Sequence, residues 1–186
     1  MTKTETKLKD VYIVEPQCFG DHRGWFMESY SKTKFEALGI NIDFVQDNHS
    51  YSAQKGVFRG IHFQKAPYAQ TKLVRCTRGE IIDFIVDLRA GSPSYLSYIA
   101  VTLSVENKKM VLIPQGFGHG FLTVTDDVEV QYKTDNFYNK DCDRSINYLD
   151  PQIKIDFSAV TSADMILSDK DKQAPLLADS DVEFKY

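Results

Sequence analysis

The stretch Lys72-Leu-Val-Arg-Cys-Thr-Arg-Gly79-Glu-Ile-Ile-Asp-Phe-Ile-Val-Asp-Leu88 decides the fold class, because two apolar segments of strand length flank a turn. Lys72–Cys76 and Ile81–Leu88 carry the β-branched and apolar residues that strands favour. Arg78-Gly79-Glu80 predicts a hairpin turn between them, since glycine adopts positive φ without steric cost. The stretch therefore predicts two strands joined by a hairpin.

The same strand pattern recurs along the 186 residues. Eight further segments have it: Val11–Val14, Trp25–Tyr30, Asp43–Ser50, Val57–Phe63, Ser97–Leu103, Met110–Ile113, Phe121–Thr125 and Val128–Thr134. A helix is predicted only over Ser31–Leu38, with Ser31 as N-cap, and short helical turns are expected after Phe157. About ten strands and few helices predict an all-β jelly-roll barrel, with a lipocalin-like barrel as the alternative.

Length and composition predict a single domain over residues 1–186, with a polar tail at 1–10 and a C-terminal extension from about 158 to 186 packing on the barrel. A net charge of −4 argues against a general nucleic-acid binder. No apolar run approaches the roughly 20 residues that span a bilayer, and no secretory signal is apparent. Three widely spaced cysteines favour a reducing cytoplasm over a disulfide scaffold.

Three polar side chains share strand faces with apolar ones, because residues two apart point the same way. Lys72 shares its face with Val74, Tyr132 shares its face with Val130, and Asp83 shares its face with Ile81. An inward lysine is costly unless it meets an anion or a polar partner, although a lysine at a strand end also reaches solvent. Asp83 is either a structural carboxylate or the partner of a buried histidine.

The segment Val57-Phe-Arg59-Gly60-Ile-His62-Phe contains a candidate catalytic histidine. Strict alternation places Arg59 and His62 on opposite faces of the strand. A β-bulge at Gly60 would direct both side chains into one pocket, and glycine in a strand often marks a bulge. The alternative is a core histidine hydrogen-bonded to the backbone.

The segment Pro114-Gln-Gly-Phe-Gly-His119-Gly-Phe resembles the second motif of the cupin superfamily, whose fold is a small jelly-roll barrel. Metal-binding cupins carry an H-x-H pair in their first motif, but His62-Phe63-Gln64 stands here. Because metal sites need three or four ligands, we expect no metal. A histidine, a tyrosine and a lysine inside one barrel indicate proton transfer beside a carbonyl, with a base, an acid and a donor to the enolate oxygen.

A longer series of motifs resembles the dTDP-4-dehydrorhamnose 3,5-epimerases. The matching segments occur in order from about Val11 to Asp171 and so cover nearly the whole chain. They are Asp21-His-Arg23-Gly-Trp-Phe-Met-Glu28, Gln46-Asp-Asn48, Val57–Phe63, Lys72–Glu80, Pro114–Phe121, Tyr132-Lys-Thr and Leu167-Ser-Asp-Lys170-Asp171.

The resemblance implies a homodimeric, cupin-like jelly roll that acts on dTDP-4-dehydro-6-deoxy-D-glucose without a metal or a redox cofactor. Enolisation at C3 and then at C5 would give dTDP-4-dehydro-L-rhamnose. The resemblance assigns His62 as the base, oriented by Asp171, and Tyr132 as the acid on the opposite side of the sugar. Lys72 would stabilise the enolate oxygen.

Eight further residues match family positions that hold the nucleotide, the diphosphate or the sugar. They are Arg23, Glu28, Gln46, Asn48, Arg59, His119, Asp143 and Lys170. Guanidinium groups suit a diphosphate, which makes Arg23 and Arg59 sensible on chemical grounds.

The sequence departs from the family pattern at a few positions. Asp143 and Tyr148 stand where the family tends toward Glu and Trp, and Phe58 and Phe63 stand for Leu and Tyr. Alternatives therefore remain open: an epimerase of C3 only or C5 only, a ketoisomerase, a non-catalytic module that binds sugar nucleotides, and a metal-dependent cupin enzyme.

Overall fold

A computed structural model describes residues 1–158 and 165–186. Its strands are β1 (Thr2–Glu5), β2 (Tyr12–Glu15), β3 (Cys18–Asp21), β4 (Gly24–Met27), β5 (Gln46–Ser52), β6 (Phe58–Gln64), β7 (Lys72–Arg78), β8 (Glu80–Asp87), β9 (Tyr98–Ser104), β10 (Met110–Ile113), β11 (Phe117–Thr123), β12 (Val128–Thr134) and β13 (Asp143–Ser145). The helices are α1 (Lys32–Ala37), α2 (Asp169–Lys172) and a 3-10 turn (Leu177–Asp179). Within the described ranges, no helix is long and apolar enough to cross a membrane.

Two antiparallel sheets form the body of the fold. The six-stranded sheet has the order β1-β2-β10-β7-β12-β5, and the five-stranded sheet has the order β13-β6-β11-β8-β9. Strands β3 and β4 form a separate hairpin. The prediction of an all-β fold with a few short helices is confirmed. Residues 159–164, which belong to the predicted C-terminal extension, lie outside the described residues.

The predicted hairpin at Arg78-Gly79-Glu80 is wrong, although both of its strands exist. Strand β7 pairs with β10 and β12, whereas β8 pairs with β9 and β11 in the other sheet. The turn therefore carries the chain from one sheet to the other. Gly79 has the expected positive φ of 72°, and a Cβ there would lie 2.5 Å from Thr125 Oγ1.

Three strands are absent from the predictions because they are short and carry little apolar alternation. Strand β1 pairs with β2 where the sequence predicts only a polar tail. Strand β3 pairs with β4, and β13 pairs with β6. Backbone hydrogen bonds to an existing strand hold such segments, so their own side chains give little signal.

The predicted inward faces are confirmed by the core between the two sheets. Val74 and Cys76 of β7, Val130 of β12, and Ile81 and Ile85 of β8 all belong to one buried apolar cluster. Lys72, Tyr132 and Asp83 occupy the same faces of the same strands. The barrel interior is thus apolar over part of its length and polar where these three side chains lie.

Two further apolar clusters cover the outer faces of the sheets. Phe58 and Phe84 of the five-stranded sheet pack against Phe157 of the C-terminal region, with Phe84 and Phe157 ring centroids 4.9 Å apart. Phe35 of α1 packs on Leu73 at the outer face of the six-stranded sheet. Full burial of such a side chain stabilises the fold by about 1.5–3 kcal/mol.

Candidate active site

A cavity of about 460 Å³ opens between the two sheets. Six of the twelve site residues predicted from the sequence line it. They are Arg59, His62, Lys72, His119, Tyr132 and Asp171. They come from four strands and from α2, so only the folded barrel brings them together.

The bulge predicted at Gly60 is present and explains how β6 directs two side chains, Arg59 and His62, into the same cavity. His62 pairs with His119 and Arg59 pairs with Phe121, so β6 has one residue more than β11 between these pairs. A Cβ at Gly60 would lie 2.4 Å from the Gly120 Cα, which leaves no room for any other residue. The extra residue lets both Arg59 and His62 line the cavity.

His62 is hydrogen-bonded to a carboxylate, which contradicts the alternative of a histidine held by the backbone. Its Nε2 lies 2.5 Å from Asp171 Oδ1. Ser168 supports the same carboxylate, since its hydroxyl donates to Asp171 Oδ2 at 2.9 Å and accepts from the Asp171 backbone N–H at 3.1 Å. The side chain of His62 is 29% exposed and that of Asp171 only 3%. The histidine thus faces the cavity, with its carboxylate partner buried behind it.

The electrostatics of this pair favour a carboxylate next to the imidazole. Burial raises the pKa of Asp171, but the hydrogen bonds from His62 and Ser168 outweigh burial and lower that pKa overall. A carboxylate only accepts hydrogen bonds, so His62 Nε2 carries the proton in the contact with Asp171. Nδ1 is then the ring nitrogen with a free lone pair, and it can accept a proton.

Lys72 and Tyr132 face the cavity from the opposite sheet. Lys72 Nζ lies 5.9 Å from the centre of the Tyr132 ring. Burial lowers the pKa of Lys72 to about 8, although the negative charges of Asp83 and Asp143 oppose that shift. Burial also raises the pKa of Tyr132, so its hydroxyl stays protonated at neutral pH. This side of the cavity thus provides a phenol that can donate a proton and an amine that changes its charge close to neutral pH.

His119 forms a second pair, with Asp83, and this decides between the two readings of that carboxylate. Its Nδ1 lies 3.1 Å and 3.3 Å from the two carboxylate oxygens. Burial first, and then the charge of Lys72, lower the pKa of His119. The imidazole is therefore neutral at pH 7, with Nδ1 donating to Asp83 and Nε2 left as an acceptor.

Two of the predicted binding residues lie next to the cavity without lining it. Lys170 Nζ lies 2.5 Å from Asp143 Oδ2, and the Tyr138 hydroxyl donates to the same oxygen at 3.2 Å. The negative charge of Asp143 raises the pKa values of both Lys72 and Tyr132, which places it close to them. The resulting ion pair forms a polar edge beside the catalytic candidates.

Gln46 and Asn48 lie on β5, where Asn48 pairs in register with Tyr132. The Gln46 amide donates to Asn48 Oδ1 at 2.9 Å, and Gln46 Oε1 accepts from the Tyr138 backbone N–H at 3.1 Å. Asn48 lines a smaller neighbouring cavity of about 230 Å³. The two amides are thus tied to one another and to the segment that carries Tyr138.

Arg23 and Glu28, which were also predicted to bind substrate, are not brought to the cavity of this chain. Arg23 lies at the β3–β4 hairpin, 79% exposed, and its guanidinium pairs with Asp21 at 2.6 Å. Glu28 follows the hairpin and pairs with Lys34 of α1. Neither residue lines the cavity formed by its own chain.

Ser168 was missed by the sequence analysis, although a local signal exists. The spacing Ser168-x-x-Asp171 resembles a capping box, in which the side chain of each residue bonds to the backbone N–H of the other. Ser168 is indeed the N-cap of α2 and accepts from the Asp171 backbone. Ser50 also lines the cavity and belongs to no motif recognised in the sequence, whereas Phe121, another lining residue, ends the Pro114–Phe121 motif. Within the described parts of the chain, no group of three His, Cys, Asp or Glu side chains is placed to hold a metal ion.

Comparison with known proteins identifies the family. The model of the dTDP-4-dehydrorhamnose 3,5-epimerase family matches residues 5–179. The chain belongs to this family. It is 47% identical over 182 residues to a dTDP-4-dehydrorhamnose 3,5-epimerase of Shigella flexneri, an alignment that covers 97% of this chain and 98% of the relative. The predicted family, and with it an isomerase-class enzyme, is confirmed.

Solved structures of the family have the same fold. A dTDP-4-dehydrorhamnose 3,5-epimerase from Bacillus anthracis, with TDP and PPi bound, is 46% identical with a TM-score of 0.90, covering 95% of this chain and 99% of the other. A dTDP-6-deoxy-D-glucose-3,5-epimerase from Legionella pneumophila, in complex with dTDP-4-keto-L-rhamnose, is 40% identical with a TM-score of 0.92, covering 100% and 98%. The cupin-like jelly-roll prediction is confirmed.

Proposed function

We propose that this epimerase converts dTDP-4-dehydro-6-deoxy-D-glucose to dTDP-4-dehydro-L-rhamnose by inverting C3 and C5. One observation carries the proposal: the base candidate and the acid candidate face one cavity from opposite sheets. His62 belongs to the five-stranded sheet, and Tyr132 belongs to the six-stranded sheet. Inversion needs a proton to leave from one face of the sugar and another to arrive at the opposite face.

His62 removes the proton next to the C4 carbonyl. Its Nδ1 is the nitrogen with a free lone pair, because Nε2 donates to Asp171. Proton uptake makes the ring an imidazolium, and the nearby carboxylate of Asp171 stabilises that positive charge. Ser168 holds the carboxylate in place through its second oxygen.

Lys72 stabilises the enolate that forms. Removal of the proton moves negative charge onto the C4 oxygen, and an ammonium ion in a buried cavity neutralises such charge effectively. Lys72 lies on the same wall as Tyr132. The charge and the returning proton are therefore supplied from the same side of the sugar.

Tyr132 returns a proton to the face opposite His62. Burial raises the pKa of its phenol, so the hydroxyl is protonated when the enolate forms. The same three groups act again at C5, because C3 and C5 both flank the C4 carbonyl. Before that second cycle, the His62 imidazolium releases its proton to solvent and the Tyr132 phenolate takes one up from solvent. No redox change occurs, since each cycle removes one proton and returns one.

The remaining predicted residues bind the nucleotide and the sugar. Arg59 lines the cavity, and its guanidinium is held by Ser52 Oγ at 3.2 Å and by the Tyr51 carbonyl at 3.0 Å. A guanidinium fixed in this way suits a diphosphate. Lys170 and Asp143 supply a paired cation and anion at the neighbouring edge.

Incubation with the 4-keto-6-deoxyglucose nucleotide in deuterated water tests the reaction. We expect deuterium at both C3 and C5 of the product, read by NMR and mass spectrometry. Deuterium at only one carbon would contradict the double inversion and indicate a C3-only or C5-only epimerase. Tight binding without any exchange would indicate a non-catalytic module.

The working enzyme is proposed to be a homodimer in which the β3–β4 hairpin serves the partner's cavity. The hairpin exposes Phe19, Trp25 and Phe26 by 52%, 55% and 65%, which is unusual for large apolar side chains outside an interface. Arg23 on the same hairpin resembles a substrate-binding residue of the family but does not line the cavity of its own chain. A second copy can receive both the apolar side chains and the arginine.

Mixing two inactive variants tests this arrangement. Arg23→Ala removes the hairpin's cation, and His62→Asn removes the base. If Arg23 acts across the dimer, co-refolded mixtures regain activity, because each mixed dimer contains one cavity with both residues intact. A mixture as inactive as its components, or an active monomer in sedimentation, would contradict the proposal.

We also propose a cytoplasmic location. Cys18, Cys76 and Cys142 are all free thiols, and Cys18 is exposed. A reducing compartment keeps an exposed thiol free. Recovery of the protein in the cytoplasmic fraction of its native cell, rather than in an exported fraction, is the expected outcome.

A further inference from the structure

Asp83 is a buried carboxylate that the mechanism above does not use. Its side chain is 0% exposed, in the middle of β8. Among the described residues, no lysine or arginine forms an ion pair with it, and its hydrogen-bond partner is His119. A buried charge without a directly paired cation is costly, so this carboxylate lowers stability unless it meets compensating charge nearby.

Asp87 on the same strand has the surroundings of a structural carboxylate. Arg89 donates to both of its oxygens at 2.9 Å, and the hydroxyls of Ser92 and Ser94 donate at 2.6 Å and 2.7 Å. Asp83, four residues earlier and equally buried, has none of these partners. Its surroundings are instead His119 and the positive charge of Lys72, both in the cavity wall.

We propose that Asp83 is a positioning residue for the enolisation, an inference that rests on the proposed function. Its carboxylate fixes which ring nitrogen His119 presents to the cavity, and its charge keeps Lys72 an ammonium ion. Asp83 itself does not line the cavity; it acts through these two residues.

The first part follows from the hydrogen bond. Asp83 accepts from His119 Nδ1, so the neutral ring must leave Nε2 without a proton. A histidine in this state accepts a hydrogen bond from a sugar hydroxyl or from the Lys72 ammonium, and it adds no positive charge of its own. The neighbouring ammonium is then the cation that meets the enolate.

The second part follows from the charges around Lys72. Burial, and to a smaller extent the positive charge of Lys170, lowers the pKa of this amine, and the carboxylates oppose that shift, with Asp83 ahead of Asp143. The groups that face Lys72 are Asp83 from β8, Asp143 from β13, Lys170 from α2, His119 from β11 and Tyr132 from β12. Without the charge of Asp83, a larger fraction of Lys72 is a neutral amine at neutral pH, and a neutral amine cannot compensate an enolate.

The variant Asp83→Asn tests the proposal because it keeps the shape and an acceptor for His119 but removes the charge. We expect the alkaline limb of the kcat profile to move to lower pH, while KM for the dTDP-sugar changes little. Each pKa unit by which Lys72 shifts lowers the ammonium fraction about tenfold on that limb. A purely structural role would instead lower kcat by the same factor at every pH.

Asp87→Asn is the matched control, since it removes a buried carboxylate from the same strand. We expect it to lower the melting temperature and to leave the position of the alkaline limb unchanged. A profile of Asp83→Asn that is parallel to the wild type, or a profile of Asp87→Asn that shifts as far, would overturn the proposal.

Two measurements need no turnover and so separate this inference from the proposed function. With lysines labelled by carbon-13 at Cε, the Lys72 signal is assigned by its loss in Lys72→Met, and its titration midpoint should be lower in Asp83→Asn. Nitrogen-15 spectra of the wild type should find His119 protonated at Nδ1, a result independent of whether the variant folds. An unshifted midpoint, or a proton on Nε2, overturns the inference even if the enzyme is fully active.

Discussion

Two histidine–aspartate pairs face the same cavity, and their surroundings give them opposite properties. His62 uses Nε2 to hold Asp171, whereas His119 uses Nδ1 to hold Asp83. The side chain of His62 is 29% exposed and that of His119 only 10%. His62 is thus more accessible to a proton from the substrate, whereas His119 is nearly buried and its lowered pKa makes it a poor proton acceptor. Burial and neighbouring charge, rather than residue type, decide which histidine is the base.

The largest effect is expected when His62, the more exposed of the two histidines, is replaced. The variant His62→Asn should abolish deuterium exchange at both C3 and C5, because burial lowers the pKa of His119 and makes it a poor proton acceptor. A positioned base contributes about 10²–10⁴-fold, so the loss should be plain in an exchange assay. Tyr132→Phe is the matched variant on the other wall and should retain more exchange than net inversion. If His62→Asn kept wild-type exchange, the assignment of the base would be wrong.

The next largest effect is expected at Lys72, the cation in the same cavity. Lys72→Met keeps the length of the side chain and removes its charge, and turnover should fall by roughly 10²–10³-fold, the usual loss for one oxyanion donor. The lost charge also removes one cause of the lowered pKa of His119, so that histidine should titrate at higher pH in the variant.

Chelation provides the control for this charge. Dialysis of the wild type against EDTA should leave turnover unchanged, since the ammonium of Lys72 is assigned the role that a metal ion would have. Activity that disappears with chelator and returns with a divalent metal would contradict the role given to Lys72.

The pH dependence of kcat in the wild type should reflect the titration of Lys72, which lies near the His119–Asp83 pair. The folded protein holds the pKa of Lys72 at about 8, below its usual 10.5, because burial disfavours the charged form. The ammonium is the active form, so kcat should decline as the pH rises through about 8, by roughly tenfold per pH unit at the limit. A kcat that stays constant up to pH of about 10 would show that the charge of Lys72 is not needed.

The smallest effect is expected for Ser168, which supports Asp171 in the His62–Asp171 pair. Ser168→Ala removes the hydroxyl that donates to Asp171 Oδ2 and caps α2. Loss of one such hydrogen bond costs about 1 kcal/mol, or roughly fivefold in kcat. Ser168→Thr, which keeps the hydroxyl, should restore most of the activity. Equal rates for Ser168→Ala and the wild type would remove Ser168 from the mechanism.

Much of the barrel and of the site could be predicted because both depend on local patterns. Alternation along β7, β8 and β12 correctly placed Lys72, Asp83 and Tyr132 on inward faces, and glycine in a strand correctly indicated the bulge at Gly60. These features depend on neighbours within a few residues.

The rest could not be predicted because it depends on which distant segments meet. Period-two alternation does not specify a strand's partner, so the sequence predicts a hairpin at Gly79 although the turn joins two sheets. For the same reason, the partner of Asp83 became clear only from the pairing of β8 with β11. Likewise, the sequence pattern does not show that Arg23 of the β3–β4 hairpin is absent from the lining of its own chain's cavity.

The contact between His62 and Asp171 joins residues 109 apart in the sequence. During synthesis, the ribosome therefore completes most of the barrel before the carboxylate that supports the base exists. A chain arrested before α2 has His62, Lys72 and Tyr132 but lacks the carboxylate that stabilises the protonated base. Because Asp171 follows all thirteen described strands in the chain, only chains synthesised through α2 acquire a fully supported base.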